Sequence, residues 1–101
     1  MRKLIIGLMF LFFPAVVAAQ CVTNGGYPAS RLSQKKVVDA LYHIDANRTV
    51  SYNSFIAQGL VFETVGGQPV TIKEKSNVYI GLINVCAGKC FWVPETAIRC
   101  D

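Results

Sequence analysis

The fold is decided by the stretch VYIGLINVCAGKCFWVP, residues 78–94. Val78–Val85 and Cys90–Val93 are runs of β-branched and aromatic residues, which predict two strands. The segment Ala87 to Lys89 between them has glycine at its centre and the length of a tight hairpin loop. This stretch therefore predicts an antiparallel hairpin.

Two further β-rich runs, Leu60–Val65 and Val70–Glu74, precede the hairpin. Apart from Asn84, the residues of Val78–Val85 are apolar on both faces of the predicted strand. This pattern indicates a strand that is covered on both sides. Gly81 within that run marks a bend or bulge. The sequence predicts a small curled sheet that follows a helical part.

A helix is predicted over Ser30–Ile44, after a loop that covers Cys21–Ala29. Its apolar residues share one face at helical spacing, as in a helix packed on a core: Val37, Val38, Leu41, Tyr42 and Ile44. Ser30 or Ser33 can cap its start, and Asn47 can take the left-handed position past its end.

A short second helix is predicted over Tyr52–Gln58. Ser51 is its candidate cap, Gly59 ends it, and Phe55 and Ile56 face inward. The helical part thus covers residues 30–58, and a single domain covers residues 20–101.

Residues 1–19 have the pattern of a signal peptide. Arg2 and Lys3 precede an apolar run, and small residues end it at Ala19. The run from Leu4 to Ala19 has 16 residues, against the roughly 20 that span a bilayer, so no transmembrane segment is expected in the mature protein. We expect a periplasmic or secreted protein. Lipidation of Cys21 is the alternative, although Gln20 before it is not small.

The charge of the mature domain is low. The full chain has ten basic and six acidic residues and a formal charge of +4, and removal of the two basic leader residues leaves +2. The remaining charges are scattered, without the dense basic stripe that phosphates require. No nucleic-acid partner is therefore expected.

Four cysteines lie in the mature part, where an oxidising compartment favours pairing: Cys21, Cys86, Cys90 and Cys100. Three pairings are possible, and the hairpin spacing favours Cys86 with Cys90, which leaves Cys21 for Cys100. A zinc site formed by Cys86, Cys90, Cys100 and His43 is the alternative. The spacing of Cys86 and Cys90 does not match the two-residue spacing of a zinc knuckle, however. We expect two disulfides and no cofactor.

The segments Gly59–Phe62, Gly67–Val70, Phe91–Pro94 and Ala97–Ile98, with Gly88, resemble bacterial Src-homology-3-like domains. The Trp-Val-Pro turn carries most of this resemblance. It implies an α+β fold in which an N-terminal helix, with a possible short second helix, packs on a small disulfide-stapled Src-homology-3-like β-barrel, residues 59–101.

The resemblance also indicates a candidate binding surface. Trp92 and Pro94 match two positions of the peptide groove in that family, and Phe91 and Tyr79 complete the predicted surface. The strand from Leu60 lacks the tyrosines of a polyproline groove, and Ala97 replaces the late aromatic residue, so polyproline binding is not expected. The alternative for Trp92 is a half-buried position in the barrel.

Members of that family look like cell-wall or protein-binding accessories, and we accordingly expect a non-enzymatic binding module for an envelope protein or a cell-wall glycan. The alternative is an immunity or inhibitor protein against a toxin or a wall hydrolase. A small hydrolase would need the one histidine, His43, beside a nucleophile, and no serine or free cysteine can be linked to it.

Overall fold

The computed structural model describes residues 21–100, so the predicted signal peptide, residues 1–19, lies outside the described residues. The fold is α+β. The elements follow in this order: β1 (Cys21–Thr23), β2 (Pro28–Ala29), α1 (Gln34–Asp45), α2 (Thr49–Ala57), β3 (Phe62–Glu63), β4 (Pro69–Lys75), β5 (Leu82–Ala87), β6 (Lys89–Pro94), a 3-10 turn (Glu95–Ala97) and β7 (Ile98–Cys100).

Five strands form an antiparallel sheet in the order β6-β5-β4-β1-β7, and β2 pairs with β3 in a second, two-stranded sheet. Among residues 21–100, an isolated β-bridge links Ser30, directly after β2, to Trp92 on β6, with backbone hydrogen bonds of 3.1 and 2.9 Å. The edge strands β6 and β7 do not pair with each other in the described chain. The closed barrel that the resemblance implied is therefore replaced by an open sheet.

The predicted hairpin is confirmed. Strands β5 and β6 pair from Leu82 opposite Pro94 to Ala87 opposite Lys89, and Gly88 turns the chain with a φ of 84°. Glycine adopts a positive φ without steric cost, so Gly88 is well suited to this turn.

Strand β5 begins at Leu82 and not at Val78. In the preceding loop, the Ser76 hydroxyl accepts hydrogen bonds from the backbone N–H groups of Val78 and Tyr79, at 3.0 and 2.9 Å. Such local bonds compete with strand pairing. The apolar run predicted as one long strand is therefore divided into a loop and a strand.

The predicted loop Cys21–Ala29 is also wrong, since it contains β1 and β2. Strand β1 lies between β4 and β7, where Cys21 is opposite both Val70 and Cys100. Strands of two or three residues are too short to show a period in the sequence, and their partners lie far along the chain. The helices consequently interrupt the strands and do not precede them all.

The sheet core contains residues from most of the strands: Cys21, Ala29, Val70, Ile83, Val85, Phe91, Val93 and Ala97. On β5, Leu82 and Asn84 point away from this core and are also buried, with 2% and 7% of their surface exposed. Both faces of β5 are therefore covered, as its lack of alternation predicted.

Helix α1 begins four residues after the predicted start because two serines have different roles. The Ser33 hydroxyl caps the helix and accepts a hydrogen bond from the Lys36 N–H at 3.4 Å. Ser30 is occupied by its bridge to Trp92, and its hydroxyl donates to the Leu60 carbonyl at 3.0 Å. The chain can enter the helix only after that bridge.

The buried face of α1 is narrower than predicted. It centres on Val37 and Ala40, which are both fully buried, while Tyr42 is 54% exposed and Ile44 is 40% exposed. The helix as a whole packs against β6 and β2 as well as α2. Asn47 has a φ of 60° and takes the predicted left-handed position.

Helix α2 begins at Thr49, three residues before the predicted start, and folds back on α1. A small second core forms between them from Ala40, Tyr52 and Val61, with Phe55 and Ile56 packed against it. His43, predicted on the solvated face, is half-buried with its ring centroid 5.1 Å from that of Phe55. The return of α2 covers this side of α1, which a pattern within α1 alone does not reveal.

Tyr52 ties α2 to β3, because its hydroxyl donates a hydrogen bond to a Glu63 carboxylate oxygen at 3.1 Å. Burial raises the pKa of Tyr52 from 10.0 to about 12, and the bond to Glu63 adds to this shift. The folded state therefore holds this proton more tightly than the unfolded chain does.

We expect the free energy of unfolding to fall as the pH rises from about 10 to about 12, since the unfolded chain ionises Tyr52 first. Urea unfolding at a series of pH values measures this slope, and Tyr52→Phe removes the contribution of Tyr52. Identical slopes in the native chain and the variant would contradict it.

Two disulfides join Cys21 to Cys100 and Cys86 to Cys90, the pairing that the spacing favoured. The first links β1 to β7, and the second spans the β5–β6 hairpin. Disulfides of this kind indicate an oxidising, non-cytoplasmic compartment. The described helices are all too short or too polar to cross a bilayer.

Candidate functional site

A cleft of about 480 Å³ opens where three segments meet: the end of α1, the residues around the start of β2, and the 3-10 turn after β6. Its volume falls within the range of small-ligand sites in proteins. Two of its walls are held by hydrogen bonds to other parts of the chain.

The first wall is the last turn of α1. Leu41 and Ile44 lie three residues apart on one face of the helix, and Asp45 ends it. Leu41 is half-buried and Ile44 remains 40% exposed. An aliphatic surface thus borders the cleft and stays accessible to solvent.

The second wall is Tyr27 with Pro28, held by Thr64, which directly follows β3. The Tyr27 N–H donates to the Thr64 hydroxyl at 3.0 Å, and the Thr64 N–H donates to the Tyr27 carbonyl at 2.8 Å. The Gly26 N–H donates to the Thr64 carbonyl at 2.9 Å. Because Thr64 is only 7% exposed, these bonds anchor the wall to the protein interior.

The third wall is the turn that starts at Pro94. The Glu95 N–H donates to the Gly81 carbonyl at 2.8 Å, and the Asn24 side-chain amide donates to the Thr96 carbonyl at 3.0 Å. The turn is therefore fixed by the loop before β5 on one side and by the segment after β1 on the other.

The cleft combines apolar walls with negative charge. Tyr27, Leu41, Ile44 and Pro94 supply the apolar surface, and among residues 21–100 no lysine, arginine or histidine lines the cleft. Two carboxylates, those of Asp45 and Glu95, also line it and are exposed. Such a site suits an apolar ligand more than an anionic one.

Of the four residues predicted to form the binding surface, Pro94 lines the cleft, and the other three lie elsewhere. Phe91 is 3% exposed and lies in the sheet core, with its ring centroid 5.5 Å from that of Phe62. Trp92 is half-buried beside Ser30, and Tyr79 is half-buried in the loop before β5. Phe91 and Trp92 are neighbours on one strand and point to opposite faces, so one surface cannot hold both.

Most cleft residues were missed by the sequence analysis, Tyr27 and Glu95 among them. Tyr27 depends on hydrogen bonds to a residue 37 positions away, which no local pattern reveals. Glu95 follows the Trp-Val-Pro turn, and only that turn indicated its neighbourhood.

His43 lies outside the cleft lining. Its ring makes edge contacts with Tyr42 and Phe55, with centroids 5.4 and 5.1 Å apart, and its buried Nδ1 has no hydrogen-bond partner among residues 21–100. The aromatic contacts give His43 a packing role between the helices. The cysteines of the alternative zinc site, Cys86, Cys90 and Cys100, are all in disulfides, so they cannot act as thiolate ligands.

A second, shallower hollow of about 310 Å³ lies beside β4 and β7, lined by Ile72, Lys75 and Ile98 among others. The pairing of β4 with β5 shifts register between Ile72 and Glu74, and the strand carries lysines at its exposed positions. After Val70, β4 is not paired with β1, and the bulge and the exposed lysines there discourage the pairing of another strand. The first cleft is therefore the better candidate site.

Comparison with known proteins gave no match to a protein family, to a curated protein or to a solved structure.

Proposed function

We propose that the mature chain is a non-enzymatic binding module of the bacterial cell envelope, and that it holds a partner protein in the cleft between α1, Tyr27 and Pro94. The observation that carries this proposal is the cleft itself, because two of its walls are fixed by hydrogen bonds and the aliphatic surface of the third, at Leu41 and Ile44, is accessible to solvent. A pre-formed site loses little conformational entropy on binding.

The compartment follows from two observations of different kinds. The leader pattern in residues 1–19 predicts export, and both disulfides indicate an oxidising environment. The aliphatic side chains of Leu41 and Ile44 in the cleft favour a protein segment over a cell-wall glycan, because they can bury apolar side chains of a partner. An envelope protein is therefore the partner that we propose.

We also infer that residues 59–101 follow an open Src-homology-3-like architecture, which β1 completes. Three successive antiparallel strands (β4 to β6), a 3-10 turn directly after Pro94 and a last strand, β7, that pairs with β1 support this inference. In this arrangement the two helices form an insertion between β2 and β3, and α1 supplies one wall of the cleft.

Capture of an envelope partner tests the proposal with a matched pair of variants. Ile44→Ser removes an aliphatic side chain from the cleft, whereas Val50→Ser removes one from α2, where Val50 is 84% exposed and outside the cleft. We expect Ile44→Ser to weaken retention of the partner by about 1 kcal/mol, roughly fivefold, since about that much is gained when such a side chain is further buried.

The immobilised domain, residues 20–101, is exposed to envelope extract, and the retained protein is then identified, purified and titrated calorimetrically against all three forms. Equal affinity for Ile44→Ser and Val50→Ser would contradict the assignment of the cleft. A retained toxin or wall hydrolase that loses its activity on binding would identify the module as an inhibitor.

A further inference from the structure

Asp45 occupies the end of a helix where an acidic residue is least favoured. Helix α1 ends at Asp45, and the C-terminal end of a helix carries the negative pole of its dipole. Cations are stabilised there and carboxylates are repelled. The only basic residue in the last turn is His43, whose ring packs against Phe55.

Glu95 brings a second carboxylate to the same cleft from a different element. Within residues 21–100 neither carboxylate accepts a hydrogen bond or forms an ion pair. Arg48, the basic residue next to α1, is placed over the Tyr42 ring with its guanidinium carbon 5.1 Å from the centroid. The negative charge at the cleft is therefore not neutralised within the described domain.

A divalent metal ion fits this cleft less well than an organic cation. Calcium takes six to eight oxygen ligands, and magnesium, although one or two carboxylates can hold it, keeps most of its water shell, which apolar walls do not match. In the described part of the chain, no group of three or more acidic, histidine or cysteine side chains is positioned to hold a metal. The apolar walls beside the carboxylates instead fit a ligand that is both aliphatic and cationic.

We propose that the cleft binds a protein segment in which a lysine or arginine is flanked by aliphatic residues. The cationic group lies at Asp45 and Glu95, and the aliphatic side chains pack on Leu41, Ile44 and Pro94. This inference rests on the proposed function, because it names the partner chemistry of the same cleft. It also accounts for an acidic residue at the unfavourable end of α1.

Two peptides test the inference: acetyl-Ala-Leu-Lys-Leu-Ala-amide, and the same peptide with norleucine in place of lysine. Both are titrated into the disulfide-bonded domain while the amide resonances of Gly26, Gly81 and Thr96 are followed. We expect the lysine peptide to bind about tenfold more tightly at low salt, with the preference falling as salt is added.

Charge-removing variants complete the test. The double variant Asp45→Asn/Glu95→Gln should bind the lysine peptide and the norleucine peptide with about equal affinity. Glu74→Gln changes an exposed residue of β4 outside the cleft and should keep the preference for the lysine peptide. Equal binding of the two peptides at the cleft would overturn the inference and leave the proposed function standing. Failure of both peptides to shift the cleft amides at millimolar concentration would also overturn it, and the Ile44→Ser capture then decides the proposed function separately.

Discussion

The largest loss of stability is expected when Cys21 and Cys100 are both replaced by alanine. This disulfide spans a sequence separation of 79 residues, and in the chain-entropy model such a loop contributes about 4.5 kcal/mol. Cys21 is also a core residue, 7% exposed, between β4 and β7. A single domain with a stability of about 5–15 kcal/mol loses a large fraction of it in this way.

The second disulfide provides the matched control. Cys86 and Cys90 are four positions apart, so their loss should cost only about 2 kcal/mol in the same model, and the hairpin remains paired through its backbone. Urea unfolding of the native domain and of the two double-alanine variants measures both effects. A greater loss for the hairpin variant would show that loop closure does not govern the stability of this domain.

The second large effect is expected from Phe91→Ala. Phe91 is 3% exposed in the sheet core and makes an edge contact with Phe62, and the Arg31 guanidinium carbon lies 4.7 Å from the centre of the Phe62 ring. Truncation of a buried phenylalanine typically costs about 3–5 kcal/mol, because the lost transfer energy adds to the cost of a cavity.

Trp92→Ala is the control for this prediction. Trp92 is next to Phe91 on β6, is half-buried and points to the opposite face of the strand. We therefore expect Trp92→Ala to lower the free energy of unfolding less than Phe91→Ala does in the same assay. A larger loss for Trp92→Ala would mean that the tryptophan, and not Phe91, is the main aromatic residue of the core.

The parts of the fold that depend on local sequence were predictable. The hairpin follows from the spacing of Cys86 and Cys90 around Gly88, and Asn47 takes the left-handed position that its side chain favours. Strand β1 was not predictable, because three residues show no period and Cys21 finds its neighbours Val70 and Cys100 only through pairing across the chain.

The candidate site was less predictable than the fold. Pro94 was identified because the Trp-Val-Pro turn is a recognisable pattern, but Tyr27 reaches the cleft through its bonds to Thr64. Asp45 lies in the last turn of α1, where an acidic residue is disfavoured, but the predicted helix ended at Ile44 and left Asp45 outside it. Clefts between distant segments depend on tertiary packing, which local periodicity does not report.

The most direct test of the central claim is to map the binding site on the domain itself. Amide resonances of residues 21–100 are recorded before and after addition of the purified envelope partner. The proposal predicts the largest shifts around Gly26, Ile44, Gly81 and Thr96, with little change on β4 at Thr71–Lys75. Shifts confined to β4, or to the exposed face of α2 around Val50, would contradict the claim that the cleft is the binding site.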